Sequence, residues 1–167
     1  MAPALFIGNN ENRLDSKNRL SVPADYRAQL KRLGSGTEPL ILYASPDLDP
    51  YSGDAVIFCY PEGKIVKLEE EKSQLDPFHP RHIEIRSLQS YLRPLPIDGE
   101  GRVQLPDSLK EWGRLRDSVV IVGIGDCFYL SHPVDFARRK EADAAAALAR
   151  NAALRSALAT AQAGGVR

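Results

Sequence analysis

The sequence predicts an α+β fold: two βαββα-like repeats packed as one small pseudo-twofold barrel of interlocking hairpins, followed by a C-terminal helix. Three observations lead there. Residues 13–27 recur 83 residues later, so that Asp15, Arg19 and Pro23 return as Asp98, Arg102 and Pro106. The apolar positions return with them, as Leu14/Ile97, Leu20/Val103, Val22/Leu105 and Tyr26/Leu109, and an internal period of this kind fixes an architecture. Each copy leads into short apolar runs of strand length, and hairpins that small must pack on one another to bury their apolar faces. After Pro133 the composition changes to one dominated by alanine.

Residues 5–12 read as a short lead-in strand. The motif Asp-x-x-x-Arg then makes a turn, in which Asp15 bonds backbone N–H groups ahead of it and Asn18 takes a positive φ; the second copy has Gly101 there. Arg19-Leu20-Ser21-Val22 and Arg102-Val103-Gln104-Leu105 alternate polar and apolar, the period of a half-buried strand. Pro23 and Pro106 end these strands and suit the start of a helix. The following segments, ADYRAQLKRLG and DSLKEWGRL, space apolar residues at helical intervals.

Gly34-Ser35-Gly36 breaks the first helix, and the runs 40–43 and 55–60 read as strands, with a Pro/Asp/Gly-rich loop over 45–54 between them. Pro61 opens a helix to about residue 75, with Ile65 and Leu68 inward and Glu69 to Glu71 outward. Residues 83–91 read as a second helix or an extended connector. In the second half Val119 to Val122 match the strand that begins at Leu40, and Pro133 matches Pro61 at an offset of 72 instead of 83. The 11 extra residues of the first half are assigned to the 45–54 loop. The segments are thus 5–76 (first repeat with its helix), 77–94 (connector), 95–136 (second repeat) and 137–167 (helix and tail). Thirteen alanines between Ala137 and Ala163 predict a long helix ending at Gly164-Gly165. With only Leu148, Leu154 and Leu158 as apolar bulk, it reads as a partly frayed, solvated helix, with packing against a neighbouring subunit as the alternative.

Composition bounds the function. With 167 residues, 43% hydrophobic and 26% charged, the chain is an ordinary globular one. It has no run long and apolar enough for a membrane span, and no basic stretch before an apolar patch, so neither a span nor a secretory signal is expected. Cys59 and Cys127 lie in apolar runs and read as small core residues in a reducing cytoplasm. The net charge is zero, which counts against binding a polyanion by bulk electrostatics. The distribution is uneven: residues 11–32 carry +3 and residues 62–76 carry −2.

The chemistry concentrates in the paired turns. Lys17, Arg19 and Arg102, flanked by Arg13 and with Asn18 in the first turn, form a candidate nucleic-acid contact set. An arginine fork binds guanine O6 and N7 or straddles a phosphate, and lysine adds a mobile charge. The alternative is that Arg19 and Arg102 pair with Asp15 and Asp98. Asp15, Asp98, Gly101, Pro23 and Pro106 read as turn-shaping residues. Glu100 stands where the first turn has Lys17, so the first turn should contribute more. No catalytic or metal site is expected. Asp47, Asp49 and Asp54 lie in a proline-broken loop, His79-Pro80-Arg81-His82 reads as a solvated connector without a third ligand, and phosphate-loop and dinucleotide motifs are missing from the sequence.

The stretch GNNENRLDSKNRLSVP, with a second IDGEGRVQLP and then VVIVGIGDCFYL, resembles the MraZ family over residues 5–136. The resemblance implies an AbrB-like double-split, swapped-hairpin barrel and a sequence-specific DNA-binding transcriptional repressor without a cofactor. It implies cytoplasmic, nucleoid-associated action on its own promoter and on the division and cell-wall gene cluster. It further implies operators of double-stranded DNA with short G-rich repeats, and a ring-shaped homo-oligomer of about eight subunits, in which repeated weak contacts add up. Asn18 departs from the glycine usual in the family's first motif, and Asn10 and Asn12 replace residues more often aromatic and histidine. An antitoxin-like partner-binding protein or a scaffolding oligomer of the same fold is the competing reading.

Overall fold

The computed structural model describes residues 5–164, in two compact units that divide after Pro133. The first unit contains β1 (Asn9–Arg13), β2 (Arg19–Ser21), α1 (Ala24–Arg32), β3 (Ile41–Leu48), β4 (Ala55–Tyr60), α2 (Glu62–Ser73) and α3 (Pro80–Tyr91). It continues with β5 (Arg93–Pro96), β6 (Arg102–Gln104), α4 (Asp107–Trp112), β7 (Ser118–Gly123) and β8 (Phe128–Ser131). Pro23, Pro61 and Pro106 each occupy the position just before a helix, where the missing N–H is no loss and φ is already suitable.

Among the described residues the strands form an antiparallel six-stranded sheet in the order β1-β7-β8-β4-β3-β5 and a two-stranded ribbon of β2 and β6. Exchange β1 with β5, β2 with β6, β3 with β7 and β4 with β8, and that order reads the same from the other end. The first half's β1 therefore pairs with the second half's β7, and the second half's β5 with the first half's β3. Neither half completes its own sheet. One apolar core serves both, including Leu20, Val22, Tyr26 and Leu42 from the first half and Val103, Leu105, Leu109 and Ile121 from the second. Phe6, Tyr26 and Phe128 pack ring to ring within it, and the Tyr26 hydroxyl donates to the Ile7 carbonyl at 2.9 Å.

The registers correct the alignment of the halves. Asn10 pairs with Ile121 as Arg93 pairs with Ala44, so β3 and β7 are offset by 77 residues. Tyr43 pairs with Tyr60 as Val120 pairs with Ser131, so β4 and β8 are offset by 71. The excess is thus 12 residues, six before β3 and six in the β3–β4 hairpin, where the sequence had placed 11 in one loop. Residues 45–48 are strand, not loop. Pro46 fits there because β5 covers only Ile41 to Ala44, leaving its nitrogen on an uncovered edge. The Trp112 indole N–H secures the extended hairpin, donating to the Asp47 and Val56 carbonyls at 3.0 and 3.1 Å.

The 77–94 stretch is likewise more ordered than a connector. His79 caps α3, its Nδ1 accepting from the Arg81 N–H at 3.0 Å, and Pro80 is the first helical residue. Residues 77–80 are exposed, as the solvated reading expects, while the His82 Nδ1 one turn further on is buried. The strand β5 begins at Arg93, inside that stretch. Because the Ile97 N–H bonds the Leu40 carbonyl at 2.8 Å, strand alternation turns the nitrogens of Pro94 and Pro96 outward, where no donor is needed. The second unit holds α5 (Pro133–Gly164) from its second residue onward, and the helix is exposed over most of its length. It reaches Gly164; Gly165, the other half of the expected stop, lies outside the described residues. No helix among those described is long and apolar enough to cross a membrane.

Candidate nucleic-acid interface

Both Asp-x-x-x-Arg segments close by the same bonds. In the first, the Asp15 Oδ1 accepts from the Lys17 and Arg19 N–H groups, each at 2.9 Å, and Oδ2 accepts from the Arg19 Nε at 2.6 Å. In the second, the Asp98 Oδ1 accepts from the Glu100 and Arg102 N–H groups at 2.9 and 3.0 Å, and Oδ2 from the Arg102 Nε at 3.3 Å. Backbone bonds to the arginine N–H are the leading cause holding both carboxyls below their ordinary value. Asn18 and Gly101 carry the positive φ the sequence expects, 60° and 79°.

The two turns are the lead-ins to β2 and β6, which pair as Arg19 with Gln104 and Ser21 with Arg102. They therefore flank one ribbon from opposite ends, which sets Arg19 and Arg102 about 7 Å apart along it, at two strand steps. The halves also bond each other's turns. The Leu105 N–H donates to the Asn18 carbonyl at 2.8 Å, and the Val22 N–H to the Gly101 carbonyl at 2.9 Å.

Each arginine is paired with its aspartate through Nε, as the alternative reading expects, in a turn that is itself at the surface. The environments then diverge. Arg19 has one carboxylate partner, and Lys17 and Arg13 are exposed with no ion-pair partner among the described residues. Arg102 has two, because its Nη2 also meets the Glu100 Oε2 at 3.1 Å. Counting the aspartate, the third residue and the arginine, the first turn carries +1 and the second −1.

The Asn18 side chain is engaged within the protein. Its side-chain Nδ2 donates to the Asp107 Oδ1 at 3.1 Å and its Oδ1 accepts from the Lys110 Nζ at 2.9 Å. Asn12, from the flanking strand, donates its side-chain N–H to the Ser21 carbonyl at 2.8 Å. Sequence reasoning missed Asp107, Lys110, Gln104 and Arg27. The Gln104 amide donates to the Lys17 carbonyl at 3.1 Å, and the Arg27 Nε donates to the Val22 carbonyl at 3.1 Å. The Arg27 guanidinium lies so close to Gly101 that a Cβ there would be 2.7 Å from it. One signal was available: Arg27 and Lys110 are themselves 83 residues apart. Among the described residues no group of acidic, histidine or cysteine side chains could hold a metal ion. Asp49, one of the acidic trio, instead organises the hairpin turn, accepting from the Tyr51 N–H and the Ser52 hydroxyl, each at 3.1 Å.

These features define a duplicated, interlocked α+β domain that displays two arginine-bearing turns of opposite net charge on one ribbon. No protein-family profile matches the chain. It is similar to the transcriptional regulator MraZ of Gluconacetobacter diazotrophicus, with 33% identity over 138 residues, 82% of this chain and 84% of the relative. The MraZ of Gluconobacter oxydans is 33% identical over 140 residues, 83% and 82% of the two chains, and that of Parvibaculum lavamentivorans 35% over 133, 79% and 78%. The chain belongs to the MraZ family, whose named members are transcriptional regulators and not enzymes.

Proposed function

We propose that this protein is a sequence-specific DNA-binding transcriptional regulator that reads double-stranded DNA mainly through its first turn. The carrying observation is the unequal pair of turns on one ribbon: Lys17 and Arg13 free of carboxylates beside Arg19, against Arg102 held by both Asp98 and Glu100. An arginine between two carboxylates has less net charge to offer a phosphate, and its fork is already engaged. The exchange-symmetric strand pairing supports an AbrB-like swapped-hairpin barrel as the scaffold. A neutral subunit with so few contacts binds weakly alone, which favours a ring of about eight subunits engaging short repeated G-rich elements together. Kinship with named MraZ proteins supports transcriptional regulation; within this reading the protein acts in the cytoplasm, at the nucleoid, as a repressor of its own promoter and of division and cell-wall genes.

The test is a salt titration of binding to DNA from upstream of the protein's own gene, with scrambled DNA as control. Wild type should prefer the former, with log K falling against log salt by about 0.9 per phosphate contacted. Arg19→Ala should weaken specific binding by about 100-fold and Arg102→Ala by about 10-fold or less, from the usual span of a base-reading arginine, with the oligomer intact in both. Equal losses contradict the asymmetry. Loss of the oligomer in either variant assigns the arginines to the fold, and no preference over scrambled DNA points to a partner-binding or scaffolding role.

A further inference from the structure

We propose that Asp107 and Lys110, on α4 of the second half, are positioning residues for the first turn, acting through Asn18 without touching nucleic acid. The inference rests on the DNA-binding reading above. Asn18 holds φ 60°, a conformation that costs a residue with a Cβ more than it costs glycine. At the corresponding place the second turn has Gly101, which meets the same requirement without a side chain. Something must hold Asn18 there, and the structure shows what does. Its amide nitrogen donates to Asp107, its amide oxygen accepts from Lys110, and its backbone carbonyl accepts from the Leu105 N–H. The Gln104 amide fixes the carbonyl of Lys17, one residue earlier.

These four partners come from the second half, while the Asn18 N–H bonds the Asp15 carbonyl at 3.0 Å within its own turn, as Gly101 bonds Asp98 in the other. The peptides on either side of Asn18 set where Lys17 and Arg19 point, so the half with the weaker turn fixes the aim of the stronger one. The backbone bond has its counterpart in the Val22 N–H and Gly101 carbonyl, but the side-chain bonds are particular to this side. Arg27, which corresponds to Lys110, finds only the backbone of Gly101 beneath its guanidinium and makes no side-chain hydrogen bond to that residue. Lys110 is turned toward the Asn18 oxygen, so it supplies orientation more than free charge.

A double-mutant cycle separates this role from direct contact. DNA affinity and its salt slope are measured for wild type, Lys110→Met, Asp107→Ala and Asn18→Gly, and for each of the first two substitutions combined with Asn18→Gly. Thermal melting checks that every variant is folded. Positioning predicts that Lys110→Met and Asp107→Ala each weaken binding about five- to ten-fold with an unchanged slope, and that either change costs less than two-fold once Asn18 is glycine. Two variants at separate partners keep the test decisive if one of them folds poorly. An undiminished loss in the Asn18→Gly background overturns the inference, as does a slope reduced by about 0.9, the mark of a lost phosphate contact, or no loss in either single variant. Arg19→Ala in the same series distinguishes the failures. Wild-type binding that depends on Arg19, with additive cycles, refutes the brace alone; no specific binding by wild type refutes the DNA-binding reading and the brace with it.

Discussion

Asp15 and Asp98 each accept two backbone N–H bonds and one from an arginine, which is why they are better turn formers than contacts. Those bonds favour the charged form, so each carboxyl titrates below its ordinary 3.8. A lowered folded value means that the contribution to stability is complete above the unfolded value and fades as pH falls through the folded one. An NMR titration should therefore place the Asp15 midpoint below 3.8; a midpoint at or above that value would mean that the turn is open in solution. The cysteines show the opposite displacement. Burial, followed by the neighbouring Asp126 charge, pushes the Cys127 thiol up to about 12, and burial raises that of Cys59. Neither thiolate is populated at pH 8, so a thiol reagent should label neither residue until urea unfolds the chain.

Among the elements, the β3–β4 hairpin and α5 depart most from the duplicated plan. The hairpin is six residues longer than its counterpart, and the Trp112 N–H spans its two strands. Trp112→Phe keeps a ring there but leaves two carbonyls without this donor, so it should cost about 1 kcal/mol and speed amide exchange around Val56; unchanged exchange would show that the hairpin supports itself. The helix α5 depends on propensity, with its distal leucines more than half exposed. Ala153→Gly should weaken that helix by about 1 kcal/mol, read as lost far-UV helicity while the melting of the sheet stays constant. The helices, proline stops and α5 were legible because their signals are local. The length of β3 was not, because Pro46 reads as a strand breaker until one sees that β5 stops short of it.

For the whole first unit, interlocked strands mean that the halves cannot unfold separately. Leu20 lies opposite Val103 in the ribbon and is 1% exposed. Leu20→Ala should destabilise the unit by about 2–5 kcal/mol, and a urea titration followed by probes in either half should still show one transition; two transitions would mean that each half has its own core. The sequence by itself determined the duplication, the turn at each Asp-x-x-x-Arg, the positive φ at Asn18 and Gly101, and the sign of the difference between Lys17 and Glu100. All of these reside in neighbours a few residues apart or in direct repetition. The tertiary structure alone decided that the extra residues divide between two places, that Glu100 joins Asp98 on Arg102, and that Asn18 is held by Asp107 and Lys110. Those last contacts span 89 and 92 residues, and a hydrogen bond between side chains so far apart leaves no periodicity in the chain; only the interlocking of the halves brings them within 3.1 Å.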